Sequence, residues 1–255
     1  MRYRARVEYD GTDFCGFQSQ PTARTVQGVL EEALASVAGG RRVRITAAGR
    51  TDAGVHALDQ VIAFDYAGRL GRGDLQRALD ALLPRDVAIR GLRPAVRGFQ
   101  PRRALWREYR YSIWNGPRSP LRERTALGLR ERLDEAAMAR AAEALVGRHD
   151  FRAFGGPVGR HGVRTVHWIR VRRSGSAVTV DIAADAFLRQ MIRAIAAALI
   201  RVGRGGLEAE ELTVALSRPS GRAFGGEVAP AKGLCLRRIV YGPRQRNERR
   251  SNGER

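Results

Sequence analysis

The spacing of apolar residues alternates along this chain between period two and the helical period, which restricts the chain to a fold that mixes strands with helices. From Tyr3 to Tyr9, apolar residues alternate with charged ones, and this pattern is typical of a half-buried strand. After a loop, Thr25 can cap a helix whose apolar residues recur at helical spacing from Val26 to Val37. The pair Gly39-Gly40 then ends that helix.

The same signals continue along the chain and give the order β-α-β-β-α-β twice. In the first half, the further predicted elements are strands at 42–47 and 60–66, a helix at 74–83 and a strand at 87–93. In the second half, they are a strand at 106–114, a helix at 134–146, strands at 164–172 and 177–182, a helix at 185–202 and a strand at 236–241. The residues themselves do not repeat between the halves, so the duplication is one of element order.

This order predicts an α+β fold made of two ferredoxin-like βαββαβ units, with mainly antiparallel sheets and a central basic cleft between them. We expect an N-terminal α/β subdomain at 1–97 and a C-terminal α/β subdomain at 104–242, joined by a linker at Gly98–Arg103. The remaining residues, 243–255, are polar and basic, so a disordered tail is predicted there.

Positive charge exceeds negative charge by a wide margin, with 46 Lys and Arg against 26 Asp and Glu and a formal net charge of +20. Lys232 is the only lysine, so nearly all of this excess is arginine. A codon bias toward arginine would explain the missing lysines but not the size of the excess. Because a guanidinium offers forked donors to phosphate and a flat face to bases, the charge favours a nucleic-acid partner over an acidic protein or a membrane surface.

Several other classes of protein are disfavoured. No apolar run approaches the roughly 20 residues that a membrane helix needs, and Met1–Arg4 does not lead into a signal-peptide core. Cys15 and Cys235 are too few for a disulfide framework and are not spaced as a metal-binding pair. There is no Walker-type loop or dinucleotide fingerprint, and the histidines lack metal-ligand spacing. We therefore expect a soluble, cytoplasmic protein with no metal and no cofactor.

Asp52 lies in the loop between the second and third predicted strands, between Thr51 and the small pair Ala53-Gly54. Small neighbours would let a bulky substrate approach this carboxylate, and Arg50 could either keep it ionised or contact a nucleic acid. Asp and Gly are also common in β-turns, and composition alone favours an ordinary turn over a catalytic loop. The spacing therefore leaves both interpretations open.

The segment around Asp52, together with others along the chain, resembles the motifs of the tRNA pseudouridine synthase A family. At Asp52 it reads Ala48-Gly49-Arg50-Thr51-Asp52-Ala53-Gly54-Val55-His56-Ala57. The other matching segments are 9–18, Thr25-Val26-Gln27-Gly28, 82–88, Arg107-Glu108-Tyr109-Arg110-Tyr111, 147–151, 187–193 and 229–234. They follow the family's order and span nearly the whole chain up to about residue 241.

The resemblance implies an isomerase, a tRNA pseudouridine synthase in which Asp52 is the essential, nucleophilic carboxylate. It also implies that Tyr109 stacks on the target uracil, that Arg193 pairs with Asp52, and that Arg50 helps to displace the base. Periodicity alone cannot separate Tyr109 from Tyr111, which lies on the same face of the same strand. Periodicity places Arg193 on the helix face opposite the apolar stripe, which could face water or a cleft.

The resemblance further implies a homodimer that modifies the anticodon arm of tRNA, at roughly nucleotides 38, 39 and 40. Isomerisation of uridine needs no cofactor. The residues leave open whether Asp52 attacks the base or the sugar, or acts as a base on the ribose. Two alternatives also stay open, a non-catalytic RNA-binding protein on the same scaffold and a pseudouridine synthase for another RNA.

Overall fold

The structure, a computed structural model, describes residues 1–156, 162–217 and 223–243 of an α+β chain. Its strands are β1 (Arg2–Tyr9), β2 (Ile45–Ala47), β3 (His56–Asp65), β4 (Val87–Pro94), β5 (Trp106–Asn115), β6 (Leu127–Leu129), β7 (Gly147–Asp150), β8 (Val163–Ser174), β9 (Ala177–Ala184) and β10 (Leu234–Val240). Its helices are α1 (Val26–Val37), α2 (Arg72–Leu82), α3 (Glu135–Glu143), α4 (Met191–Gly203) and α5 (Ala209–Ser217). The predicted disordered tail lies, from residue 244 onward, outside the described residues.

The 10 strands found in the described ranges join a single mixed sheet. Their order is β4-β1-β3-β10-β5-β9-β8-β7, with β2 added to β3 and β6 added to β5. β10 runs parallel to β3 and β6 runs parallel to β5, whereas the other pairings are antiparallel. The prediction of two ferredoxin-like units with mainly antiparallel sheets is therefore not confirmed. The physical reason is that β10 inserts between β3 and β5 and joins the strands of both halves.

The register of β10 determines which parts of the two halves become neighbours. Leu236 of β10 pairs with Ala57 of β3 on one side and with Tyr109 of β5 on the other. The loop that precedes β3, which contains Asp52, is thereby brought next to the middle of β5.

Helix α1 begins and packs as the sequence predicts. The Thr25 side chain accepts a hydrogen bond of 3.2 Å from the Gly28 backbone N–H, and the apolar face of the helix is buried through Leu30 and Leu34. α1 packs against α2, α3 packs against α4 and β8, and α4 packs against β5. The buried side chains of both halves form one continuous hydrophobic cluster.

Helix α4 begins six residues later than the predicted start at Asp185. The Asp185 carboxylate instead accepts hydrogen bonds from the backbone N–H groups of Thr165 (3.1 Å) and Ala186 (2.6 Å), which fixes it in a turn. Gln190, just before the helix, has a left-handed backbone with φ of 64°. Helix α5 and the short strands β6 and β7 were not predicted. None of the helices within the described ranges is long and apolar enough to cross a membrane.

Candidate active site

A cavity of about 960 Å³ lies where the two halves of the chain meet. Residues from five segments line it: the 15–20 loop after β1, the 48–55 loop before β3, part of β5, the 186–193 segment that leads into α4, and the start of β10. Its volume is at the upper end of the range for ligand pockets, roughly 300–1,000 Å³. The cavity can therefore hold a nucleotide-sized group.

All four residues that the sequence singled out line this one cavity. Arg50 and Asp52 come from the loop of the first half, whereas Tyr109 and Arg193 come from β5 and α4 of the second half. The structure thus brings together residues more than 100 positions apart in the sequence. Their chemical roles stay predictions.

The loop around Asp52 is a turn that presents a carboxylate, so the two interpretations of its sequence are compatible. The Val55 backbone N–H donates to the Asp52 carbonyl at 3.2 Å, and Gly54 has φ of 77°, a left-handed conformation that favours glycine. From the neighbouring loop, the Phe17 N–H donates to the Thr51 carbonyl at 3.1 Å. The backbone on both sides of Asp52 is therefore held by hydrogen bonds.

Buried polar side chains hold the same loop from beneath. The hydroxyl groups of Tyr9 and Thr51 are joined by a buried hydrogen bond of 2.8 Å. Gln60, a fully buried residue of β3, donates through Nε2 to the Gly49 carbonyl at 3.0 Å. Because these groups are shielded from water, losing a partner would leave a buried polar atom unsatisfied. Such a network keeps the loop in one conformation.

Arg107, which the sequence did not single out, joins three segments at the edge of the cavity. Its guanidinium donates to the carbonyl oxygens of Asp185 (2.6 Å), Arg102 (2.9 Å) and Ala48 (3.1 Å). These oxygens belong to the loop before α4, to the predicted linker and to the start of the Asp52 loop. Arg107 therefore fixes the distance between the two walls of the cavity.

The structure separates Tyr109 from Tyr111, which periodicity could not do. Tyr111 is fully buried away from the cavity and donates its hydroxyl to the Pro230 carbonyl at 2.9 Å. Tyr109 lines the cavity and packs edge-on against Phe187, with ring centroids 5.3 Å apart. Burial raises the pKa of Tyr109 to about 12, with Arg107 acting to lower it and the negative charge of Asp52 to raise it. The Tyr109 hydroxyl is therefore neutral at physiological pH.

Arg193 lies in the first turn of α4 and lines the cavity, so its helix face is the cleft rather than open water. Its Nε donates to the Ala229 carbonyl at 2.7 Å, which anchors the side chain to the segment before β10. Among the ion pairs of the described residues, none joins Arg193 to Asp52, so that pairing stays a prediction.

The histidine next to the loop has a structural role. The Gly11 backbone N–H donates to Nδ1 of His56 at 3.0 Å, which leaves Nε2 as the donor to the Arg124 carbonyl at 2.8 Å. Both ring nitrogens are occupied. Within the ranges that the structure describes, no group of three or more His, Cys, Asp or Glu side chains is arranged to hold a metal ion.

The charges that line the cavity are strongly unequal. Asp52 is the one carboxylate among the lining side chains, and it faces four arginines, namely Arg50, Arg107, Arg189 and Arg193. Because a low-dielectric cleft of one sign concentrates ligands of the other sign, this cavity attracts anions. A large basic cleft with a single, rigidly held carboxylate is the site of an enzyme that acts on a nucleic acid.

Comparison of the sequence with a family profile and with named relatives gives the same class. The family profile described as tRNA pseudouridine synthase matches residues 5–97 and 141–242. The tRNA pseudouridine synthase A of Pelobacter propionicus is 40% identical over 241 residues, covering 92% of this chain and 97% of that protein. The tRNA pseudouridine synthase A of Frankia casuarinae is 43% identical over 250 residues, covering 95% of this chain and 90% of that protein. A chain in the crystal structure of the archaeal box H/ACA sRNP Nop10–Cbf5 complex aligns with a TM-score of 0.37 at 13% identity, over 95% of this chain and 49% of that one.

The chain belongs to the tRNA pseudouridine synthase family. The prediction of an isomerase that converts uridine to pseudouridine in tRNA is thereby confirmed, and a non-catalytic RNA-binding protein is not favoured.

Proposed function

We propose that the target uridine of a tRNA enters the 960 Å³ cavity and that Asp52 is the nucleophile of its isomerisation. The observation that carries this proposal is the position of Asp52 as the one carboxylate among the cavity's lining side chains. Its loop is held on both sides by backbone hydrogen bonds, and preorganised groups of this kind are what catalysis requires.

In this proposal the other predicted residues act on the displaced base. A uridine in a stem or loop must leave its stack to reach the carboxylate, which costs a few kcal/mol. Tyr109 would stack on the uracil and Arg50 would help to displace the base, which offsets part of that cost. Arg193 would pair with Asp52 once the substrate is bound and keep the carboxylate ionised.

The reaction conserves every atom of the substrate. The Asp52 carboxylate bonds to the base or to the ribose, and the bond between N1 and C1′ of the nucleotide breaks. The uracil turns within the cavity, C5 bonds to C1′ in place of N1, and the bond to Asp52 breaks again. The proton on C5 is lost and N1 gains one, so no oxidant, reductant or cofactor is consumed. Since the base is detached while it turns, the walls of the cavity must retain it.

We also propose the finer points that the resemblance implies. The substrate uridines lie in the anticodon arm, at roughly nucleotides 38, 39 and 40, and two copies of the chain act as a homodimer. The residues of 1–97 and 104–242 form the two subdomains on either side of the cleft. Relatives named tRNA pseudouridine synthase A and the basic lining of the cavity support tRNA as the substrate. The nucleotide positions and the homodimer are proposed from the resemblance of the sequence motifs.

The experiment compares Asp52→Asn with Cys15→Ser on an unmodified tRNA transcript. Both side chains line the cavity, and Cys15 is the other candidate nucleophile there because it is a free, exposed thiol. We expect Asp52→Asn to bind tRNA with unchanged affinity but to lose at least about 10³-fold in rate, since it removes the attacking group. Cys15→Ser should keep wild-type activity.

Pseudouridine-specific chemical mapping gives both the extent and the position of conversion. Equal conversion by Asp52→Asn and wild type would exclude Asp52 as the nucleophile. Loss of conversion in Cys15→Ser alone would transfer that role to the thiol.

A further inference from the structure

A second cavity, of about 270 Å³, lies beside the carboxyl end of β5. It shares no lining residue with the candidate active site. Trp114, near the end of β5, and the 116–130 segment that follows form most of its wall. Its charged lining side chains are Arg118, Arg122, Glu123, Arg130 and Lys232.

Four cations line this small cavity, and Glu123 is the one carboxylate among its lining side chains, where it interacts with Lys232 and also with the charge of Arg118. Lys232 donates to the Glu123 carboxylate, so these two charges compensate each other. Arg118, Arg122 and Arg130 form no ion pair with any residue that the structure describes. Several unpaired guanidinium groups around one cavity make a site for an anion, and forked donors match the oxygens of a phosphate.

An aromatic ring fixes the position of one of these cations. The guanidinium of Arg122 lies 5.5 Å from the centre of the Trp114 ring. The indole is itself fixed, because its Nε1 donates to the Pro117 carbonyl at 2.7 Å. The Trp114 ring therefore restrains Arg122, although that side chain is exposed.

The segment that forms the small cavity is tied to a loop that also lines the candidate active site. Arg124 donates to Asp10 at 3.0 Å and to Asp13 at 2.8 Å, and its carbonyl accepts from His56. Asp10 and Asp13 begin the loop after β1, and residues 15–20 of that same loop line the larger cavity. The small cavity thus lies beside the carboxyl end of β5, and the larger cavity lies farther back along β5, beside Arg107 and Tyr109.

We propose that the small cavity binds a backbone phosphate of the tRNA substrate at a nucleotide other than the target uridine. The inference rests on the proposed function, since it assumes that the same RNA fills the larger cavity. Along β5, Tyr109 and Trp114 are separated by roughly 17 Å at the usual rise of a strand. Their side chains lie on opposite faces of β5, so an RNA that reaches both must pass around the carboxyl end of this strand. At 270 Å³ the small cavity is below the range of most small-molecule sites, roughly 300–1,000 Å³, which favours a phosphate over a free nucleotide.

A contact of this kind would position the RNA and would not take part in the chemistry. The test replaces two unpaired cations in the variant Arg118→Gln/Arg122→Gln. The control, Arg41→Gln/Arg42→Gln, removes the same charge from exposed residues that line neither cavity. Thermal unfolding verifies that both variants are folded.

Dissociation constants for a tRNA transcript are measured over a series of salt concentrations, together with the rate at saturating tRNA. We expect the Arg118/Arg122 variant to raise the Kd about 10-fold and to reduce the slope of log Kd against log salt by about 1 to 2. Its rate at saturating tRNA should equal that of wild type. The control should raise the Kd less than about 2-fold, through long-range charge alone.

A third variant should change the affinity for tRNA in the opposite direction. Glu123→Gln removes the only carboxylate of the small cavity and frees Lys232, so we expect tRNA to bind about 2- to 3-fold more tightly. Ethylation of single phosphates of the tRNA then identifies the bound nucleotide. Ethylation at one nucleotide other than the target uridine should weaken tRNA binding by the wild type but not by the Arg118/Arg122 variant.

Equal affinities for the Arg118/Arg122 variant and its control would overturn the phosphate site, whatever the enzyme's activity. A wild-type protein that binds tRNA but converts no uridine would instead overturn the proposed function. Since one outcome is read from binding and the other from conversion, the two failures are distinguishable.

Discussion

Arg107 contacts main-chain groups of both halves of the chain. The shape of the cavity depends on these contacts. Its three acceptors are main-chain carbonyls of three separate segments. We predict that Arg107→Gln lowers kcat about 100-fold while KM for tRNA changes less than about 3-fold, because a loop displaced by about 1 Å misaligns the reacting groups. Arg107→Lys retains the charge but can reach fewer of these carbonyls, so its kcat should lie between those of Arg107→Gln and wild type. Single-turnover kinetics on a tRNA transcript measure the effect.

The matched control is Arg110→Gln, on the opposite face of the same strand. Arg110 forms a bidentate pair with the buried Asp181, at 2.6 and 2.9 Å, and does not line the cavity. Its loss should lower the melting temperature, since it leaves a buried carboxylate unpaired, yet leave kcat unchanged below that temperature. If Arg107→Gln lost stability but kept its kcat, Arg107 would be only a structural residue.

The sequence predicted four residues of the cavity, whereas it placed Arg107 in a matching motif without a role. Asp52 and Arg193 were found because the motifs around them are specific. Arg107 lies in the same motif as Tyr109, but its partners are main-chain carbonyl oxygens, and the sequence does not show which of these it reaches. Tyr109 and Tyr111 share one strand face, and their difference arises only from the residues that pack on each of them.

The backbone at Gly11 packs closely against the backbone at Val55, at the end of the Asp52 loop. A Cβ atom at Gly11 would lie 2.0 Å from the carbonyl oxygen of Val55, and that oxygen cannot move without moving the turn. We predict that Gly11→Ala lowers both the free energy of unfolding, by about 1–3 kcal/mol, and kcat, because the turn that presents Asp52 shifts. Urea unfolding and the rate of conversion are the measurements.

Gly73→Ala in α2 is the control, because its Cβ would meet only the flexible end of Arg77, at 3.7 Å. Alanine favours a helix over glycine by about 0.5–1 kcal/mol, so this variant should be as stable as wild type or more so. An equal loss of stability in both variants would show that the approach at Gly11 is not the cause.

Helices and strands that are determined by their own residues were predicted correctly. Features that depend on contacts with residues far away in the sequence were not. Helix α1 follows from a cap and an apolar stripe within its own sequence. The predicted start of α4 was wrong, because Asp185 makes its hydrogen bonds in a turn and Gln190 adopts a left-handed conformation. The hydrogen bond from Thr165 of β8 to Asp185 depends on tertiary structure, which the local sequence does not show. The same applies to β10, whose position between β3 and β5 depends on residues far away in the chain.

The whole molecule should lose stability in alkali, because it buries several groups in their neutral forms. Burial raises the pKa of the Cys235 thiol from 9.0 to about 11 and that of Tyr109 from 10.0 to about 12, and it also raises the pKa values of Tyr9, Tyr111 and Tyr241. The unfolded chain releases these protons first, so stability is unaffected below about pH 9 and falls as the pH rises toward 12. Each group can contribute up to about 1.4 kcal/mol per pH unit between its unfolded and folded pKa values.

Urea unfolding between pH 8 and pH 11 measures this loss, with the same series on Cys235→Ala as the control. The variant should lose less stability than wild type between pH 9 and pH 11, since it lacks the thiol. A parallel decline in both proteins would mean that Cys235 does not contribute.

Because β10 lies in the centre of the sheet although it is encoded near residue 240, the strands of the first half cannot complete the sheet until β10 has been made. The strands of the first half leave the ribosome on the order of ten seconds before β10 is made, at about 5–20 residues per second. Until then the edge of β3 that β10 will occupy is unpaired, and exposed strand edges are prone to aggregate. A nascent chain of this architecture would benefit from a chaperone that shields that edge until β10 is available.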